Sequence, residues 1–541
     1  MGGDSSVPFG DGNTRWNWQH FLDVGEFTSA FGIAYDWMHD GFTDAQLTQL
    51  RNAITTFGLT YCDNAYTAGV NGENAWWTGV NGNWNCVINA GCSIGALAIQ
   101  GEDTTGLAAK VLAQSVDNAK GNCMRAVTTD GSWVETPNYW YFGMTGWSEL
   151  ASSLQTAYGT DQGMLSTNED FSKTGEYHMH VQGMTSLFNY ADHGPNKFSA
   201  TANSLLYMGT AFSKPEYTLY QRDRIDASEP FSMFWYDPAT VGAFWDGLEL
   251  DHHFDSGTDD WAAMRSTWTD NDGTYVAMKA GNMTGHQTHG DIDAGDFVLD
   301  ALGQRWAGEL GSGNYLSTQY FASEGENADR WLYYRKRTEG QNALVINKLN
   351  QNVMSQPSTQ YGSSGDKQDA STTFAPQSGS TAFYTMDLTG AYNGTTVTRG
   401  VRMLNARKQV LIQTDITAPN AENIQWRMHT NATISISSDG TTASLTLAGK
   451  ELDVVLVNPP TGAKFSQLEP VRYDSDPALP AQTDGEVADQ DNGDTKVLAI
   501  ELTTGGTYSL QVLFNPKWDD GTTLVTPKAV AIGDWTLTSH D

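Results

Sequence analysis

Near residue 240 the apolar residues of this 541-residue chain change their period, and no other feature limits the fold as much. From about 15 to 235 the spacing is helical. The clearest run, Thr43-Asp44-Ala45-Gln46-Leu47-Thr48-Gln49-Leu50-Arg51-Asn52-Ala53-Ile54, sets Thr43 as an N-cap ahead of apolar residues at helical intervals. Residues 86–99 are small and apolar, as in a closely packed helix, and 150–158 and 204–212 read alike. Turns rich in Gly, Asn and Asp separate these stretches and predict antiparallel helix pairs. Beyond 240, the segments 274–280, 410–414 and 432–436 alternate or run β-branched, and Val454-Val455-Leu456-Val457 stops at Asn458-Pro459-Pro460. The polar stretches 351–380 and 478–494 read as long loops. A chain of this length exceeds one ordinary core. The fold class expected is α+β and multidomain: a helical domain over 1–238, an antiparallel β-sheet domain over 239–541 with a small sub-domain from about 470, and a cleft between the two.

Charge narrows the function. Thirty Lys and Arg stand against 63 Asp and Glu, a net charge of -33, which disfavours nucleic acid and anionic membrane as partners. An anionic substrate would need local basic residues. With 18 Trp, 22 Tyr and 21 Phe the chain is too aromatic to be disordered, and it has no run of 18 apolar residues that could span a membrane. Its first residues, MGGDSSVPFGDG, lack the charged start and apolar stretch of a leader, and Met1-Gly2-Gly3 reads as a start added after a leader was trimmed. The four cysteines, Cys62, Cys86, Cys92 and Cys123, lie in the first quarter without zinc spacing. They allow three disulfide pairings, or buried thiols, and the sequence does not choose.

Four polar segments could carry chemistry. His286-Gln287-Thr288-His289-Gly290-Asp291-Ile292-Asp293-Ala294-Gly295-Asp296-Phe297 packs two imidazoles and three carboxylates, which suits acid–base work, a metal, or a surface turn. Asn81-Gly82-Asn83-Trp84-Asn85 precedes an apolar helix, so its amides either meet a ligand or cap that helix. Asp130 to Tyr141 sets four aromatics around Glu135, as a sugar-stacking surface or as core. Phe188-Asn189-Tyr190-Ala191-Asp192-His193-Gly194 is a polar break in an apolar stretch and is equally open.

Taken in order, these pieces resemble the heparinase II/III-like polysaccharide lyases, which pair an (α/α) toroid with an antiparallel β-domain. The likeness covers about residues 15 to 350, with an echo at Gln425-Trp426-Arg427-Met428-His429-Thr430. Ala34-Tyr35-Asp36-Trp37 and Asn83 to Gly91 are similar to the toroid. Met264-Arg265-Ser266, His289 to Phe297, Ala301-Leu302-Gly303 and Arg335 to Asn342 follow the β-domain in sequence.

The resemblance implies β-elimination at a uronic acid. The substrate carboxylate is neutralised, a base removes the C5 proton, and an acid protonates the leaving oxygen. By motif position the neutralising Asn is Asn83, with Trp84 where the family often has His. The base, or base and acid together, falls on Tyr139, with Tyr141 its rival. The first His of the family's H-x-H-x-D-x-G motif matches His289. A phenol starts near pKa 10 and needs cationic neighbours, for which Arg265, Arg335 and Arg337 are candidates. Tyr315 and Tyr320 are alternatives for a second tyrosine acting as acid.

Relatives commonly hold a structural zinc, and the matching positions here are Asp291, Glu309 and Gln341. Without a nitrogen ligand this set speaks against zinc and suits Ca²⁺ or no metal at all; no cofactor is required. The expected partner is a uronic-acid-containing polysaccharide or oligosaccharide, more readily a sparsely charged one such as glucuronan, alginate or a gum than a densely sulfated one. Export to the cell envelope or beyond is expected. Two competing readings are a glycoside hydrolase using Glu135 with Asp291 or Asp192, and a non-catalytic glycan-binding protein.

Overall fold

The computed structural model describes residues 16–194, 202–224, 229–257, 259–482 and 489–540. The N-terminal stretch read for a leader, and 483–488 within the 478–494 loop, lie outside the described residues. The chain divides into two compact units, Met1–Gly175 with Thr201–Val241 and Glu176–Ala200 with Gly242–Asp541.

The first unit is helical. α1 (Phe21–Trp37), α2 (Asp44–Ala53), α3 (Thr60–Ala68), α4 (Asn83–Ile99), α5 (Leu107–Gly121) and α6 (Pro137–Tyr158) follow in sequence. α7 (Thr174–Val181) leads into the second unit, and α8 (Ser204–Ala211), α9 (Pro215–Arg222) and α10 (Ser232–Trp235) belong again to the first. Thr43 caps α2 in a reciprocal capping box with Gln46, as its spacing predicts. α4 lies very close to α1, because a Cβ on Gly91 would sit 2.1 Å from the Gly25 carbonyl oxygen. Disulfides Cys62–Cys92 and Cys86–Cys123 tie α4 to α3 and to the turn after α5. All four cysteines are therefore paired, and the buried-thiol reading does not hold.

The second unit is built from antiparallel sheets. Strands β1 (Asp251–Asp255), β2 (Asp260–Arg265), β3 (Tyr275–Lys279), β4 (Phe297–Ala301) and β5 (Gln304–Ala307) form a meander in that order. The later strands are β6 (Leu344–Ile346), β7 (Ser358–Ser363), β8 (Ala382–Asp387), β9 (Thr396–Leu404), β10 (Gln409–Ala418), β11 (Ile424–Thr430), β12 (Thr433–Ile436), β13 (Thr442–Leu447), β14 (Lys450–Val457), β15 (Phe465–Leu468), β16 (Lys496–Leu502) and β17 (Gly506–Pro516). They make an eight-stranded sheet, β12-β13-β14-β17-β10-β9-β8-β7, and a four-stranded one, β15-β16-β11-β6. One apolar core draws on all three sheets and includes Phe297, Trp306, Trp331, Trp426 and Phe514. A smaller cluster of Phe383, Leu411, Leu513, Ile532 and Trp535 joins the C-terminal segment to the eight-stranded sheet.

Three expectations change. Residues 176–194 fall in the second unit and not in a helical domain running to 238, because Tyr177 packs on Phe254 (5.6 Å) and Trp261 (5.8 Å) while Phe188 also meets Trp261 (6.0 Å). No sub-domain starts near 470: β17 lies between β14 and β10, and β16 pairs with β11, so the late strands complete the main sheets. The 351–380 stretch contains β7, an edge strand whose polar residues are partly exposed, which is why its sequence reads as loop.

Candidate functional site

In the first unit, α4 begins at Asn83 with Gly82 as an N-cap that offers no side chain. Glu135 supplies what the cap lacks. Its fully buried carboxylate accepts from the Asn83 backbone N–H (2.7 Å), from Asn83 Nδ2 (2.6 Å) and from Trp133 Nε1 (3.1 Å). A negative charge here also meets the positive end of the helix dipole. Asn83 is thus not the cap of α4; its amide is oriented by Glu135. Tyr139 lies in the first turn of α6, which Pro137 opens. Tyr141 donates to Glu229 (2.7 Å), and burial together with that carboxylate pushes its phenol well above the usual range. Trp84 packs against Trp76 (4.7 Å) and His20 (4.9 Å), and Trp76 is largely exposed.

In the second unit the loop between β3 and β4 carries His289. Its Nδ1 is 3.2 Å from Asp192 Oδ2, and the Asp192 backbone N–H donates to the His289 carbonyl (3.0 Å). Asp192 is completely buried and also receives Arg330 (2.8 Å), Lys336 (2.9 Å) and the Tyr320 hydroxyl. Burial raises its carboxyl, but Arg330, Lys336 and His289 more than offset this and hold it well below the ordinary range. An ionised carboxylate only accepts, and the two cations on Asp192 favour that form, which in turn favours His289 Nδ1 as the donor. Lys336 reaches Asp291 as well (2.5 Å), and burial, with Asp192 behind it, raises Asp291 against the pull of that ammonium. Tyr315 lies beside His289, with ring centroids 6.5 Å apart. Nearby, His286 meets Asp259 (2.9 Å), and Lys279 meets Asp293 (2.7 Å).

The positions that resemble a zinc site do not fit zinc. Gln341 turns its amide nitrogen toward Asp291 (3.3 Å) and the Arg335 carbonyl (2.7 Å), while Glu309 accepts from the backbone of Leu310 (2.8 Å) and Gly311 (3.2 Å). The three positions themselves offer only carboxylates and an amide, and Lys336 already sets a positive charge on Asp291. Among the described residues no group of three His, Cys, Asp or Glu side chains is arranged to hold a metal, zinc or calcium.

The three arginines serve the framework. Arg265 is buried over Trp268 (3.6 Å) and donates to the Gln182 carbonyl (2.6 Å). Arg335 holds the carbonyls of Leu310, Ser312 and Asp491. Arg337 pairs with Glu339 (3.0 Å) and Asp476 (2.7 Å). The structure thus gathers His289, Tyr315, Tyr320, Asp291 and Gln341 in one place, and Asn83 and Trp84 in another. Four residues the motif reading did not assign to this chemistry stand out: Glu135, Asp192, Arg330 and Lys336. In the sequence, Glu135 and Asp192 stand out only in their polar segments and as candidate hydrolase carboxylates, and Lys336 only as part of the run Arg335 to Asn342; nothing there singles out Arg330.

Residues 256–497 match the family described as heparinase II/III-like, C-terminal. A crystal structure of heparinase III aligns with a TM-score of 0.62 at 12% identity, over 94% of this chain and 71% of that one. A heparan sulfate lyase from Pedobacter heparinus aligns with a TM-score of 0.58 at 13% identity, over 94% and 69%. No curated protein matches the chain by sequence. Residues 256–497 are thus similar to the heparinase II/III-like C-terminal domain, in keeping with the order of the motifs there. The fold of the chain is the one expected, an N-terminal (α/α) toroid followed by a C-terminal antiparallel β-sandwich domain.

Proposed function

We propose that this protein is a polysaccharide lyase that cleaves a uronic-acid-containing glycan by β-elimination. The observation that carries the reading is His289, held on Asp192 inside the segment that matches the family. In this reaction Asn83 donates its amide to the substrate carboxylate and lowers the cost of the enolate-like charge. Tyr139 removes the C5 proton and returns it to the leaving oxygen, and His289 assists in charge neutralisation or proton transfer. No step passes through a metal.

The two disulfides support export, since such bonds persist in oxidising compartments. The hydrolase alternative is less favoured: burial raises Asp291 but Lys336 holds it, and its proposed partners Glu135 and Asp192 are both heavily bonded. Glu135 accepts from three N–H groups and Asp192 from two cations, a phenol and an imidazole, so neither is a carboxyl poised to give up a proton. Incubation with glucuronan, alginate, gum glucuronates and heparan sulfate, followed by ultraviolet absorbance, tests the proposal. An unsaturated uronate appears only if the enzyme is a lyase. New reducing ends without absorbance would establish a hydrolase, and binding without cleavage a glycan-binding protein.

A further inference from the structure

Asp192 receives more than burial of one carboxylate requires. Arg330 and Lys336 both contact it, Tyr320 donates to it, and its own backbone N–H reaches back to the His289 carbonyl. Buried ion pairs of this kind roughly break even against apolar packing, so stability alone does not account for the arrangement. What it accomplishes is directional. With Lys336 and Tyr320 on Oδ1 and Arg330 on Oδ2, the carboxylate cannot rotate, and its remaining acceptor direction meets the His289 ring. Lys336 also reaches Asp291, two residues past His289, so one ammonium fixes both the carboxylate and the loop that bears the imidazole.

We propose that Asp192 is a positioning residue: its carboxylate, clamped by Arg330, Lys336 and Tyr320, holds His289 as the Nδ1–H tautomer, so that Nε2 carries the lone pair. The internal ammonium of Lys336 thereby gives the His289 loop the cross-link that its oxygen-rich surroundings would otherwise take from a cation. An imidazole in this tautomer accepts a proton at Nε2 and then donates from it, while the carboxylate beneath stabilises the imidazolium.

The test has two arms. Nitrogen-15 NMR of histidine-labelled protein, with the His289 signal assigned from its loss in His289→Gln, reads the tautomer without substrate. Protonation at Nδ1 in the neutral ring is expected, and protonation at Nε2 overturns the proposal even if no variant of Asp192 folds. The second arm rests on the lyase reading. Asp192→Asn should lower kcat by about 10²-fold or more with little change in KM, as the carboxylate-to-amide change beneath a catalytic histidine does in serine proteases. A kcat within about threefold of wild type overturns the positioning role, since even modest acid–base assistance exceeds that. Wild-type protein that is inert on every uronate counts against the lyase reading and leaves the tautomer result to decide this one.

Discussion

Asn83 bonds twice to one carboxylate, through its backbone N–H and through its side-chain amide, so replacing it has two separable consequences. Asn83→Ala keeps the backbone bond and removes a donor from a fully buried Glu135. Losing that hydrogen bond to a charged group costs about 1–3 kcal/mol, so the melting temperature should fall. If Asn83 also meets the growing charge of the reaction, turnover per folded molecule should fall by about 10²–10³ as well. Both quantities are to be measured on one preparation, and a loss of stability alone removes Asn83 from the reaction. Tyr139→Phe should lower kcat at least 10²-fold, as loss of general acid–base catalysis typically does, with an unchanged circular dichroism spectrum. Tyr141→Phe should do far less, because its phenol is tied to Glu229 and harder to ionise. Motif order singles out Asn83, Tyr139 and His289 as candidates. It does not reveal their partners: Glu135 lies 52 residues from Asn83, Asp192 lies 97 from His289, and no local pattern signals the burial of a charge.

Helices and strands were legible where one face is apolar. Thr43 and its capping box gave the start of α2, and Asn458-Pro459-Pro460 gave the end of β14. β7 escaped because an edge strand needs little apolar surface, and α6 proved longer than the 150–158 stretch that showed helical spacing. At the start of β4 and beyond the end of β5, Asp296 and Glu309 form a buried carboxyl pair that also has testable consequences. Burial pushes Asp296 up to about 7, and burial together with Asp296 raises Glu309. A carboxyl whose folded pKa is raised contributes its stability in full below its unfolded pKa, near 4, and loses it as pH climbs through the folded value. Wild-type protein should therefore lose stability from about pH 4 through about pH 7 as Asp296 ionises, and further as Glu309 does. Glu309→Gln keeps an oxygen for the Leu310 and Gly311 N–H groups and offers Asp296 a permanent donor, so its loss over the same range should be smaller. Urea denaturation at several pH values measures both slopes, and parallel curves would exclude the pair as their origin.

For the whole molecule, the net charge of -33 repels a polyanionic glycan at long range. Raising ionic strength from about 0.01 to 0.15 M shortens the Debye length from about 30 to 8 Å. The kcat/KM for a uronate polymer should therefore rise over that range and that for a neutral oligosaccharide should not; a monotonic fall would show that local positive charge governs approach instead. The two-part character of the chain was plain from its change of period, but its division was not, since the path leaves the first unit after Gly175 and rejoins it at Thr201. That path has a cost during synthesis. Asp192 emerges from the ribosome 144 residues ahead of Lys336. At 5–20 residues per second it must wait roughly 7–30 s for its counter-charge, with Tyr177, Phe188 and Tyr190 waiting for sheets not yet made. Translation speed and chaperone supply, more than the final stability of either unit, would then set the yield of correctly assembled protein.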